Sequence, residues 1–160
     1  MVKSQLTEEG NYPVFQNSMT PLGYYDNSNY LADTAFVISA GAAGEVGYSY
    51  KDFWAADDCL CFTCSNKLLS RYLYYALLCK QEYLFSRVRK ASVPRLSRTV
   101  VEQLKIPLPS LTEQARIVDI LDRFDTLTAD ISTGLPAEIE ARQKQYEYYR
   151  DKLLTFDKVS

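Results

Sequence analysis

The sequence predicts an α+β protein, with a mixed-sheet domain over residues 1–109 and a long helical, coiled-coil-forming region over residues 110–160. Three observations carry this. Short β-prone runs alternate with turn formers across residues 11–65. The apolar period becomes helical after residue 66. A capping box at Ser110 then opens a stretch whose apolar residues keep helical and finally heptad spacing.

The elements follow in order. Tyr12-Pro13-Val14-Phe15, Ala35-Phe36-Val37-Ile38, Val46-Gly47-Tyr48-Ser49-Tyr50 and Cys59-Leu60-Cys61-Phe62-Thr63 read as strands. Pro21-Leu22-Gly23 and Asp26-Asn27-Ser28-Asn29 read as turns. Gly41, Gly44 and Gly47 recur every third residue, but Val46 to Tyr50 continues as strand. They are therefore expected to serve tight turns or close backbone approach, not a dinucleotide site. Residues 66–90 form a helical region with an apolar face of Leu68, Leu69, Tyr72, Leu73, Tyr75, Ala76, Leu77 and Cys79, capped by Ser65 or Asn66. Pro94 ends whatever helix precedes it. Leu104-Lys105-Ile106-Pro107-Leu108-Pro109 reads as an exit strand at an edge.

Ser110 and Glu113 form the capping box. Ile117, Ile120, Leu121, Phe124, Leu127 and Ile131 follow as an amphipathic helix to about Ser132, closed by Gly134 and followed by Pro136 at the start of a second helix. There Ile139, Tyr146 and Leu153 repeat every seven residues, as do Arg142, Tyr149 and Phe156, offset by three. The helix-pairing set is therefore Ile117, Leu121, Phe124, Ile139, Tyr146, Tyr149, Leu153 and Phe156. Such a seam needs either the first helix or a helix of another chain against it.

The formal charge of -2 conceals a division. Residues 67–105 hold nine basic and two acidic residues, +7, and the rest of the chain carries -9. A cationic segment in an acidic chain is a candidate polyanion surface or a solvated helix face. The expected phosphate-binding cations are Lys67 and Arg71, one helical turn apart, with Arg87, Arg89, Lys90, Arg95 and Arg98 in a loop interrupted by Ser92, Pro94 and Ser97. Bidentate arginine suits guanine, and Asn17 at a polar loop tip suits adenine. Arg98 has an alternative partner in Glu102, four residues on.

Other chemistries are poorly supplied. The chain has no histidine, which excludes Ser-His, Cys-His and His-metal mechanisms. Asp57-Asp58 are adjacent, and adjacent strand residues point to opposite faces. Cys59, Cys61 and Cys64 form a C-x-C-x-x-C run that looks like part of a zinc knot but has no second C-x-x-C to pair with it, and the candidate fourth ligand, Cys79, lies in an apolar run. Buried reduced thiols are expected, with no metal site and no disulfide framework. There is no run of about 18 apolar residues to cross a membrane, and Met1 to Glu9 show no signal-peptide core. A cytoplasmic location is expected.

Two blocks of the tail carry a resemblance. Ile106-Pro107-Leu108-Pro109-Ser110-Leu111-Thr112-Glu113-Gln114 with Ile117-Val118-Asp119-Ile120-Leu121-Asp122-Arg123-Phe124-Asp125 resembles the conserved-region boundary of type I restriction-modification specificity subunits. Gly134 to Leu154 resembles the spacer helix of their IC-like branch. Tyr12 to Ser18, Gly23 to Asp26 and Phe53 to Cys59 are similar to a target-recognition domain of these subunits. The resemblance implies a non-catalytic subunit that reads double-stranded DNA, with residues 1–109 recognising one half of a bipartite site. It implies that the helices of residues 110–160 act as a ruler and dock methyltransferase (modification) subunits, with restriction subunits adding to the assembly. It also implies that this chain holds no cofactor, S-adenosylmethionine belonging to the modification subunit and ATP and magnesium to the restriction subunit. With one recognition domain and no Trp-containing opening strand, the chain is expected to be a half-length subunit, a fragment or a product of a split gene, pairing as a homodimer or with a second half-subunit. The alternative is a protein-interaction module, a globular head on a coiled-coil stalk.

Overall fold

The structure, a computed structural model, describes residues 6, 7, 10–126, 144 and 145. Among the described residues six strands form two three-stranded sheets: β1 (Tyr12–Phe15), β2 (Gly23–Tyr25), β3 (Thr34–Ile38), β4 (Val46–Ser49), β5 (Trp54–Ala55) and β6 (Cys59–Cys61). The first sheet runs β2-β1-β5, with β1 antiparallel to β2 and parallel to β5. The second runs β4-β3-β6 and is wholly antiparallel. The expected mixed sheet is thus two sheets, of which only the first is mixed. The α+β class stands.

β3 is central to the sheets of the first compact unit, residues 1–118, because it is apolar on both faces. Phe36 and Ile38 point into a cluster with Phe53, Ala55 and Cys59, against which Phe15 and Met19 pack. Phe15, Phe36 and Phe53 meet pairwise with ring centroids 5.1–5.7 Å apart. Val37 points the other way, into a cluster with Leu73, Leu77, Leu84, Leu96 and Val101. Each such side chain contributes about 1.5–3 kcal/mol by leaving water.

The helical region expected over 66–90 is two helices, α1 (Ser70–Leu78) and α2 (Gln81–Ser86). Cys79 and Lys80 form the break, and Cys79 is exposed there instead of buried. α1 begins later than expected. Its N-cap is Leu69, which offers no side-chain oxygen, while the Ser65 hydroxyl accepts a bond from the Lys67 amide (3.4 Å) in the turn before it. A short α3 (Arg98–Glu102) follows the loop after α2.

Residues 104–109 form no strand. Pro107 and Pro109 carry no N–H for a ladder, and the Pro107 carbonyl instead accepts from the Tyr72 hydroxyl (3.1 Å). A fourth helix, α4, spans 111–126. Ser110 Oγ caps it by accepting the Glu113 amide (3.3 Å), but the Glu113 carboxylate turns to Arg116 (2.7 and 2.9 Å) and does not close the box. That ion pair holds the Glu113 carboxyl below its usual range. The chain divides into two compact units, residues 1–118 and 119–160. The first unit runs past Pro109 because Gln114, wholly buried, is bonded back into it. The expected seam residues Ile139, Tyr146, Tyr149, Leu153 and Phe156 lie outside the described residues. Among the described residues no helix is long and apolar enough to cross a membrane.

Candidate nucleic-acid interface

The cationic segment is anchored by apolar residues and tied by backbone bonds. Leu84 on α2 and Leu96 before α3 are buried, and what lies between them is exposed except half-buried Val88. The Arg89 amide donates to the Arg95 carbonyl (2.8 Å) and the Arg95 amide to the Arg89 carbonyl (3.2 Å). Residues that exchange both bonds in an antiparallel pair carry their side chains on one face of the ribbon. Arg89 and Arg95 therefore stand side by side at the mouth of the exposed loop Lys90-Ala91-Ser92-Val93-Pro94. Arg87 precedes them, its guanidinium 5.0 Å from the Tyr83 ring centre. Arg98 opens α3. Among the described residues none of Arg87, Arg89, Lys90, Arg95 and Arg98 is ion-paired, and Arg98 makes no bridge to Glu102. Like charges placed opposite each other repel, and an anion across the pair would relieve that repulsion.

The loop sits at the Ile38 end of β3. The Leu96 amide donates to the Ser39 carbonyl (2.8 Å) and the Gly41 amide to the Pro94 carbonyl (3.1 Å). The next amide, Ala42, donates to the Asn17 carbonyl (2.9 Å). Gly41-Ala42 thus joins exposed Asn17 to the cationic loop. Gly41 is required here: its φ is +78°, and a Cβ on it would lie 2.6 Å from the Asn17 carbonyl oxygen. An open groove of about 300 Å³ runs beside the loop, floored by Gly41 to Ala43 and walled by Phe85, Val88, Lys90 and Pro94, with Glu45 also lining it.

Lys67 and Arg71 are elsewhere. The Ala35 amide donates to Ser70 Oγ (3.2 Å), which places the start of α1 at the opposite end of β3. The strand between Ala35 and Ser39 spans roughly 13 Å. Lys67 is exposed but precedes α1, so the two are not one helical turn apart. Arg71 is half-buried, its guanidinium 4.7–5.0 Å from the centres of Tyr48, Tyr50, Tyr74 and Tyr75. It also donates to the Tyr75 hydroxyl (3.0 Å). Beside it the Tyr48 hydroxyl donates to Asp33 Oδ1 (3.3 Å), and burial, reinforced by the Asp33 carboxylate, pushes Tyr48 up to about 12. The turn residue Asn29 is occupied too: its amide oxygen accepts from the Ala55 amide (2.7 Å) and its amide nitrogen donates to the Ala55 carbonyl (2.9 Å).

Other chemistry finds little footing. Burial pushes the Cys59 and Cys61 thiols up to about 12 and raises Cys64, which makes them poor nucleophiles and poor metal ligands. Asp57-Asp58 lie in the turn between β5 and β6, not in a strand, and the Asp58 carbonyl accepts from the amide and hydroxyl of Ser39. Among the described residues no group of three metal-ligating side chains gathers. In α4, Ile117 and Leu121 are half-buried, while Ile120 is 39% and Phe124 62% exposed. Sequence reasoning passed over Gln114 and the Gly41-Ala42 link. A polar residue on the apolar face of a helix was the signal for the first, and the repeated glycine a partial signal for the second.

The family model described as the Type I restriction modification DNA specificity domain matches residues 1–141. The Type I restriction enzyme EcoR124I/EcoR124II specificity subunit of Escherichia coli is 46% identical over 95 residues, covering 58% of this chain and 24% of that protein. A putative type I specificity subunit of Mycoplasma pneumoniae is 32% identical over 151 residues, covering 92% of this chain and 63% of that one. The crystal structure of the Type-I restriction-modification system S subunit from M. genitalium matches with a TM-score of 0.72 at 26% identity, covering 99% of this chain and 42% of that chain. The chain thus spans less than two thirds of each of these proteins.

Proposed function

Because the chain belongs to the family of type I restriction-modification DNA specificity domains, we propose that it is a non-catalytic unit that reads one half of a bipartite duplex DNA site. Residues 1–109 recognise the DNA in this reading, and residues 110–160 form the spacer that docks modification subunits. The observation that carries the reading is the side-by-side pair Arg89 and Arg95, tied by backbone bonds and in no ion pair with a carboxylate among the described residues. Phosphates supply the missing charge, and the neighbouring Arg87, Lys90 and Arg98 extend the contact. Asn17, joined through Gly41-Ala42, stands where a base edge is read.

The exposed Ile120 on α4 supports a helix-pairing role, with a second copy or a second half-subunit as the partner. Methyl transfer from S-adenosylmethionine falls to the modification subunit, and ATP and magnesium to a restriction subunit, in the cytoplasm. The test is to mix this chain with a modification subunit and S-adenosylmethionine and to measure methylation over a library of duplexes. A defined subset of methylated sites is expected. Assembly with the subunit but no dependence of methylation on DNA sequence would leave a protein-interaction module in its place.

A further inference from the structure

Gln114 is wholly buried in the fourth position of α4, where the face it shares with Ile117, Val118 and Leu121 is otherwise apolar. Its amide is saturated. Oε1 accepts the Leu69 amide (2.9 Å), and Nε2 donates to the Lys67 and Pro109 carbonyls (2.9 Å each). The Leu69 amide stands at the N-terminus of α1, where the N-cap supplies no side-chain oxygen. Gln114 thus caps one helix from the base of another. Its three bonds tie the chain before α1 to the chain before α4, and α1 packs on β3 and β4. β3 in turn holds the cationic loop at its far end. Turning the base of α4 on the head requires breaking the bonds to Leu69 and Lys67 in a buried site, where each unpaired group is costly, while the bond to Pro109 holds the side chain in place.

We propose that Gln114 is a positioning residue, which sets the angle at which the base of α4 is seated on the recognition head and so the spacing between the two half-sites that an assembly accepts. The proposal rests on the DNA-recognition reading. No contact of Gln114 with DNA is involved.

The test uses the full chain assembled with a modification subunit and compares it with Gln114→Met, which keeps length and apolar packing and removes all three bonds. Methylation is measured on sites whose spacer is cognate, one base pair longer or one shorter. The same half-sites should be read, while the preference for the cognate spacer falls by about fivefold or more, as expected of a sub-ångström loss of positioning. Amide exchange at Leu69 should quicken about tenfold while Val37 stays protected. A folded Gln114→Met assembly with the original spacer preference overturns the proposal. Should Gln114→Met not fold, Gln114→Glu, which keeps the acceptor for Leu69, is read in the same way. Failure of both to fold assigns Gln114 to stability alone and also overturns it. An unaltered chain that reads no DNA sequence sinks the functional reading and the spacing role with it, whereas faster Leu69 exchange in Gln114→Met still separates the seating of α4 from that failure.

Discussion

At the Thr34 end of β3, Arg71 lies half-buried among four tyrosine rings with one donor bonded to Tyr75. At the Ile38 end, Arg89 and Arg95 face solvent together, held by their own backbones, with no ion pair to a carboxylate among the described residues. The same residue type is spent on packing at one end and left available at the other. The difference shows that a charge of +7 over residues 67–105 is a property of the chain and not of a surface. Aromatic faces desolvate a guanidinium and repay it with cation–π attraction. A ribbon that sets two guanidiniums on one face asks for a partner from outside.

The sharpest way to break the comparison is charge reversal at the open end. Arg89→Glu with Arg95→Glu should weaken duplex binding by the assembly about 100-fold or more at moderate salt, with the melting temperature of the chain unchanged. Equal loss of binding and of stability would mean that the loop holds up the fold. Gly41→Ala comes next. With φ at +78° and the Asn17 carbonyl in the way, it should cost about 1–3 kcal/mol in denaturant unfolding. Because Gly41-Ala42 links Asn17 to the loop, binding should weaken in parallel.

At the closed end the pattern should invert. Arg71→Ala should destabilise the head by about 1–2 kcal/mol through lost aromatic packing and change duplex affinity less than about threefold. A large affinity loss at constant stability would move Arg71 into the interface. The smallest effect concerns alkali. Tyr48 titrates near 12 in the fold against an ordinary 10.0, so the unfolded chain releases this proton first. Stability from Tyr48 is therefore intact below about pH 10 and falls as pH rises toward 12. The buried Cys59 and Cys61 thiols lose stability in an overlapping range, so the measurement is the alkaline unfolding of the native chain minus that of Tyr48→Phe. An identical pH dependence in the two would deny that burial, reinforced by Asp33, raises Tyr48 in the fold.

Much of the fold is legible because β3 and its neighbours are apolar, β-branched or aromatic, and such runs form strands wherever a core exists. β2 and β5 were not legible, being three and two residues long and created by pairing with β1. The break at Cys79-Lys80 has no glycine or proline to announce it. The prolines of 107 and 109 are compatible with a strand, as Pro13 in β1 shows, but residues 104–109 pair with no strand and the Pro107 carbonyl goes to Tyr72 instead. In the interface, the clustering of Arg87, Arg89, Lys90, Arg95 and Arg98 follows from sequence proximity. The surroundings of Arg71 are not legible in α1 alone, because two of its four tyrosines come from β4 and the residue beyond it, brought there by the register of Ala35 with Tyr48.

The central claim is that the ribbon closed by Arg89 and Arg95 grips phosphate. It is tested most directly by the salt dependence of duplex binding, for the assembly containing the native chain and for one containing Arg89→Ala with Arg95→Ala. The slope of log affinity against log salt should be shallower by roughly 1–2 in the double variant. Parallel lines of equal slope would contradict the claim.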